Sequence, residues 1–216
     1  MLVLLLAGCA TGLSQTSFSP STGSSSSRQA SPSAHSSKGS TTAPDPGSIH
    51  GQLYRNRTFG FSYKIPFGWV QRTTDMRETS SNNEKSLLLL AAFERPPEAM
   101  GESVNSAVVV TAESLSSYPD LDRAVDYFDV LDEVTSGKGF KVLNPPYEFP
   151  VGPKKLARGD YIKPIGNDVT MYQGSLVLLE KGFVLSFTFI ADSEDELESL
   201  IMDLQFESRT KARKPS

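Results

Sequence analysis

Reactive side chains are sparse in this 216-residue chain, and their positions limit the chemistry open to it. The only thiol is Cys9, which closes the run Leu5-Leu6-Ala7-Gly8-Cys9. The only histidines, His35 and His50, lie in a stretch dominated by serine, threonine, proline and glycine. Hydrolysis by a serine, histidine and carboxylate needs an imidazole held against the serine, and neither histidine sits in a segment patterned for folding. One thiol allows no disulfide and no cysteine-rich cluster. Zinc chemistry, which draws on His or Cys ligands, lacks its donors. No GxxxxGKS/T loop or GxGxxG fingerprint is present to cradle a phosphate. The remaining nucleophile arrangement is Ser175 or Ser186 beside a lysine, which requires the two groups within hydrogen-bond reach. No carboxylate pair is singled out for glycoside hydrolysis.

Asp122, Asp126, Asp129 and Glu133 recur at helical spacing and could offer oxygen ligands to Ca²⁺. They lack an EF-hand spacing, and carboxylates on a regular helix point outward, so a solvated face is expected. Phe61, Tyr63 and Trp69 are candidates for lining a ligand pocket; aromatics at strand alternation also serve as core. Asn56-Arg57-Thr58 fits a glycosylation sequon by chance composition. No catalytic residue, metal site or cofactor is expected.

The elements that would carry these residues follow from periodicity. Residues 59–65 alternate large apolar with small or polar side chains, as a half-buried strand does. Pro66-Phe67-Gly68 reads as a turn, 69–74 as a renewed strand and 75–85 as a polar loop. Apolar runs at 87–93 and 107–112 are strand-sized. Leu121, Ala124, Val125, Phe128, Leu131 and Val134 give a helix after Asp120, ended by Gly137 and Gly139. Strands follow around 140–143, 155–162, 169–179 and 183–190, with a tight turn at Lys181-Gly182. Ser193 and Glu196 stand at capping-box spacing ahead of the stripe Leu197, Leu200, Ile201 and Leu204, and Gln205-Phe206-Glu207 reads as a terminal strand or a helix exit. Strands, helix, strands, helix with hairpin-length connections give an α+β class: an antiparallel β-sheet flanked by helices.

Composition divides the chain. From residue 10 to 50, Ser, Thr, Pro and Gly supply 27 of 41 residues, too few apolar groups to offset chain entropy, so a disordered tether is expected over 9–50. As a flexible coil it would span on the order of 35–40 Å. Residues 51–208 suffice for one hydrophobic core, and 209–216 form a basic tail. The tether sets Arg28 and Lys38 against Asp45, and the tail carries Arg209, Lys211, Arg213 and Lys214. Of the chain's net −4, the domain between them therefore holds −9. An acidic body argues against nucleic-acid binding. The tail could touch anionic headgroups or remain a solvated terminus.

Leu6-Ala7-Gly8-Cys9 resembles the lipobox of bacterial lipoproteins, in which the cysteine takes up diacylglycerol and becomes the first mature residue. The resemblance implies a signal peptide remnant at 1–8, lipidation at Cys9, fatty acids such as palmitate as the anchor, and an extracytoplasmic place in the bacterial cell envelope. Two or more acyl chains make such attachment stable. Ala10, where inner-membrane retention often uses Asp, favours the outer membrane of a Gram-negative cell. The apolar core 2–6 is shorter than a signal h-region and lacks a preceding cation; a start further upstream would explain both.

Tyr54-Arg55-Asn56, Phe59-Gly60-Phe61-Ser62-Tyr63 and Ile65-Pro66-Phe67-Gly68-Trp69 resemble the opening of the Mog1/PsbP-like group of α-β-α sandwiches. The closing apolar hairpin, helix and Phe206 resemble its ending. The resemblance implies the fold and a non-enzymatic association with other macromolecules, without naming a partner. The first functional expectation is thus a membrane-anchored lipoprotein whose domain binds a protein partner, with an exposed apolar patch. A small-ligand carrier or sensor would need a pocket lined by sheet aromatics, and a carboxylate or Ser/Lys hydrolase is the third reading.

Overall fold

The computed structural model describes residues 44–79, 86–99, 101, 103–166 and 168–207. Cys9 and its lipobox, residues 10–43 of the expected tether and the tail 209–216 lie outside the described residues.

The most apolar hairpin forms the centre. Strands β9 (Val169–Glu180) and β10 (Phe183–Ala191) are joined by Lys181 and Gly182, both at positive φ (53° and 80°). That backbone matches strand twist in a two-residue turn, and Gly182 adopts it without steric cost. Phe183, Leu185, Phe187 and Phe189 point to one face of the sheet and Val184 and Ile190 to the other, with both sets buried. A strand apolar on both sides belongs inside a sheet. β10 accordingly pairs antiparallel with β9 and with β6 (Ala107–Ser114).

The full seven-stranded sheet runs β4-β5-β6-β10-β9-β8-β7. Its other members are β4 (Val70–Gln71), β5 (Ser86–Phe93), β7 (Lys141–Val151) and β8 (Lys154–Gly166). A second sheet, of order β1-β2-β3-β11, consists of β1 (Ser48–His50), β2 (Leu53–Asn56), β3 (Phe61–Lys64) and β11 (Leu204–Phe206). It packs with α3 (Glu194–Met202) on one face of the large sheet. Rings interlock across that interface: Phe61 stands edge-on to Phe187 at 5.1 Å and tilted to Phe206 at 5.9 Å. The opposite face is covered by a 3₁₀ turn (Ala124–Tyr127) running into α2 (Phe128–Gly137), and near β5 by α1 (Thr73–Thr79). All strand pairs are antiparallel, so the α+β class and its helix-flanked sheet are as expected.

Several local features depart from the sequence reading. Residues 44–50, read as tether, belong to the fold: Asn56 Nδ2 donates to the Asp45 carbonyl at 2.9 Å, Tyr54 Oη donates to that of Pro46 at 3.0 Å, and β1 pairs with β2. Only Val70 and Gln71 of the 69–74 strand pair; Thr73 starts a helix that replaces the end of that strand and the start of the expected loop, its Oγ1 accepting from Ala91 N–H at 2.9 Å. The helix expected from Leu121 begins with the 3₁₀ turn and becomes α only at Phe128. The strand at 140–143 continues to Val151 across Pro145 and Pro146, with two irregularities in its pairing to β8. At α3, Ser193 Oγ accepts from Glu196 N–H at 3.3 Å as the spacing implied, whereas the Glu196 carboxylate reaches back to Asp192 N–H at 3.0 Å.

Candidate functional site

β7 is the long free edge of the large sheet, and its sequence explains why it stays free. Pro145, Pro146 and Pro150 carry no N–H, and the first two fall within a register shift, so the strand is a broken template for another strand. The strand still exposes apolar surface at Val142 (46 %), Leu143 (39 %) and Tyr147 (41 %).

The strand is held from behind by buried charges. Arg158 and Asp160 are successive residues on the α3 face of β8, and both side chains are buried. Arg158 Nε donates to Asp160 Oδ1 at 2.8 Å, and Nη1 to Glu198 of α3 at 3.1 Å. Arg158 Nη2 also bonds Glu198. Asn144 Nδ2 on β7 donates to the second Asp160 oxygen at 3.2 Å, and the guanidinium lies 4.9 Å over the Phe149 ring. Burial alone would lower the Arg158 pKa, but the carboxylates of Glu198 and Asp160 outweigh it and hold the cation above its ordinary range. Phe149 in turn meets Tyr147 edge-on at 6.3 Å. Burial raises the Tyr147 hydroxyl pKa; Arg158 opposes this, and Asp160 and Glu198 add to it.

A cleft of about 310 Å³ lies between β7, β8 and the 3₁₀ turn, and Tyr147 borders it although its ring turns to the other face, against Phe149. Ala124 and Val125 form one wall and Pro146 and Tyr147 the other, with Leu156 and Ala157 between them. On its rim Glu148 and Lys155 pair at 2.9 Å, both well exposed. The lining is mostly apolar, and its ionisable groups face each other, with no nucleophile set against a base. Such a surface binds by shape and apolar burial, and the network behind it keeps the shape fixed.

The sequence candidates lie elsewhere. Phe61 and Tyr63 are fully buried between the two sheets, and Trp69 packs half-buried against the same core, so none of them lines the cleft. Ser175 is fully buried and its hydroxyl accepts from Gln173 Nε2 at 3.2 Å. Four lysines are engaged away from it: Lys154 with Glu180, Lys155 with Glu148, and Lys163 and Lys181 with the carbonyls of Lys138 and Thr58. Asp126 is bound by Arg123 and Asp132 by Tyr161 Oη at 2.6 Å. Among the described residues, no group of three His, Cys, Asp or Glu side chains is arranged to hold a metal ion, and no helix is long and apolar enough to cross a membrane. The sequon residue Asn56 is buried and spends its amide on Asp45, Tyr54 and the Phe59 N–H. The cleft itself escaped the sequence reading; its one local signal is the proline pair ahead of an aromatic, Pro145-Pro146-Tyr147.

No family model matches the chain, and no curated protein sequence does. Solved structures do. The fold is similar to those of PsbP and Mog1. Cyanobacterial PsbP (CyanoP) from Synechocystis matches at 15 % identity and TM-score 0.48, covering 74 % of this chain and 98 % of its own. The Ran-binding protein Mog1p of Saccharomyces cerevisiae matches at 12 % identity and TM-score 0.41, covering 71 % and 83 %. LpqN of Mycobacterium tuberculosis, described as involved in cell envelope biogenesis, matches at 14 % identity and TM-score 0.37, covering 76 % and 87 %.

Proposed function

We propose that the chain is a lipid-anchored protein of the bacterial cell envelope, attached through Cys9, whose folded domain binds a protein partner without turnover. The observation that carries the partner reading is the Tyr147 cleft, an apolar surface on a sheet edge that is a broken template for further strands and is braced by the Arg158 network. Scattered apolar exposure is ordinary, but an apolar cleft on a rigid edge is a recognition surface. The carrier reading is not supported by the aromatics first considered for it, because Phe61 and Tyr63 are spent in the core. The names of Mog1p and LpqN speak of binding and envelope roles for those proteins; the reading here rests on the cleft.

The anchor reading is supported by the lipobox run and by the serine-rich stretch that follows it. Ala10 favours the outer membrane in a Gram-negative cell. Fatty-acid labelling tests the anchor: the chain should take up label and Cys9→Ser should not, and equal labelling of both ends that claim. For the partner, a photo-crosslinking amino acid at Ala124, on the cleft wall, in the native membrane should trap one protein that a probe at exposed Met202 does not. The same product from both sites, or none from Ala124, would count against the cleft.

A further inference from the structure

The partner surface also has an electrical character. Residues 120–133, which include one wall of the cleft, carry Asp120, Asp122, Asp126, Asp129, Asp132 and Glu133 against Arg123 alone. Asp126 is neutralised by Arg123 and the Asp132 carboxylate is bound by Tyr161, which leaves Asp120, Asp122, Asp129 and Glu133 exposed to solvent. Across the cleft, Glu148 is matched only by Lys155, in a pair whose side chains are 65 % and 73 % exposed. An ion pair so open to water is worth little, so a cation arriving from outside can take Glu148 from Lys155 at small cost. These features sit on a body of net −9.

The backbone adds a second constraint. Strand addition draws its affinity from main-chain hydrogen bonds. Pro145, Pro146 and Pro150 carry no N–H, which breaks the row of main-chain donors along β7. Side chains entering the cleft are thereby favoured over strand addition.

We propose that the segment bound in the Tyr147 cleft is an extended, cationic stretch of the partner protein, gripped by side chains and not added to β7 as a strand. This rests on the reading of the cleft as the partner surface.

The test uses the full chain carrying Cys9→Ser, isotope-labelled, titrated with three synthetic peptides of one length and one apolar content, rich in lysine, glutamine or glutamate. The lysine-rich peptide should bind on the order of tenfold tighter than the glutamine-rich one, the sum of a few exposed ion pairs. Its amide shifts should centre on Val125, Tyr147, Glu148 and Ala157. Asp129→Lys combined with Glu148→Lys, both surface changes, should abolish that preference while leaving the far-ultraviolet spectrum unchanged. Equal affinities, preference for the glutamate-rich peptide, shifts centred elsewhere or no binding of any peptide would overturn the proposal. So would cleft shifts produced by deleting 208–216, since the occupant would then be the chain's own basic tail. A crosslink at Ala124 without charge preference removes this inference and leaves the partner reading standing; absence of the crosslink removes both.

Discussion

Arg158 donates to Asp160 at 2.8 Å between side chains that are 5 % and 4 % exposed, and its other edge grips Glu198 on α3. Two charges that would each be costly alone in the interior are thereby neutralised. The pair also ties three elements together: β8, the edge strand β7 through Asn144 and Phe149, and α3. Whatever binds the cleft meets a surface whose backing cannot shift without exposing a charge.

Arg158→Met should therefore destabilise the domain by about 3–5 kcal/mol, because Asp160 is left buried with only Asn144 as partner. Adding Asp160→Leu should recover most of the loss. Urea denaturation of the two variants checks this; a single substitution costing below about 1 kcal/mol would show that water reaches Asp160 and that the network is not a brace.

Gly159, between those two charged residues, faces the opposite side of β8. A Cβ there would lie 2.5 Å from Phe128 Cε1 and 2.9 Å from Cδ1. Gly159→Ala should cost about 1–3 kcal/mol by overpacking, and combining it with Phe128→Leu should cost less than the two changes summed. A double-mutant cycle in thermal unfolding reads the coupling; strict additivity would mean the ring moves aside freely.

Acid conditions act on α3. Burial raises the Glu196 pKa above its ordinary 4.5, against the opposing hydrogen bond from Asp192 N–H, and burial raises Asp203 above 3.8 with Lys64 opposing. A raised carboxylate binds more protons folded than unfolded, so it weakens the fold as pH climbs from the ordinary value through the folded one. Glu196→Gln keeps an acceptor for Asp192 and should flatten that part of the curve of melting temperature against pH. An unchanged curve would refute the assignment to Glu196.

At the alkaline end, burial is the largest cause holding Tyr54 and Tyr118 at about 12, against an ordinary 10.0. For Tyr118 the hydrogen bond it donates to Glu113 adds to this. Their contribution to stability is complete below pH 10 and is lost as pH rises towards the folded values. Phenolate absorbance of these residues should thus appear together with loss of far-ultraviolet dichroism, and Glu113→Gln should bring the Tyr118 share to lower pH. Ionisation of every tyrosine near 10 in a still-folded chain would contradict the burial.

The elements legible in the sequence were those whose own side chains fill a core. Phe61 and Tyr63 on β3, the Phe183–Phe189 alternation on β10 and the Leu197, Leu200, Ile201 stripe on α3 each state their face by period alone. Elements fixed by distant partners were not legible. α1 has a polar composition and is held by Thr73 on Ala91 of β5; β1 has one large apolar residue and is held by pairing with β2. Arg158 and Asp160 look like solvent positions in a strand, because the glutamate that buries them stands 40 residues away on α3. The cleft was hidden for the same reason: its walls come from 124–125 and 146–148, which only the fold brings together.

One of the two inner strands of the small sheet, β3, has β11 as a neighbour, and Leu204 and Phe206 of β11 enter the core between the sheets. A chain made from its N-terminus onward holds β3 with one open edge until its last described residues arrive. The domain then cannot close until residues 204–206 have been made and can pair with β3. A nascent chain halted before Leu204 should remain open to protease, and the step that completes it is the delivery of three residues, 204–206.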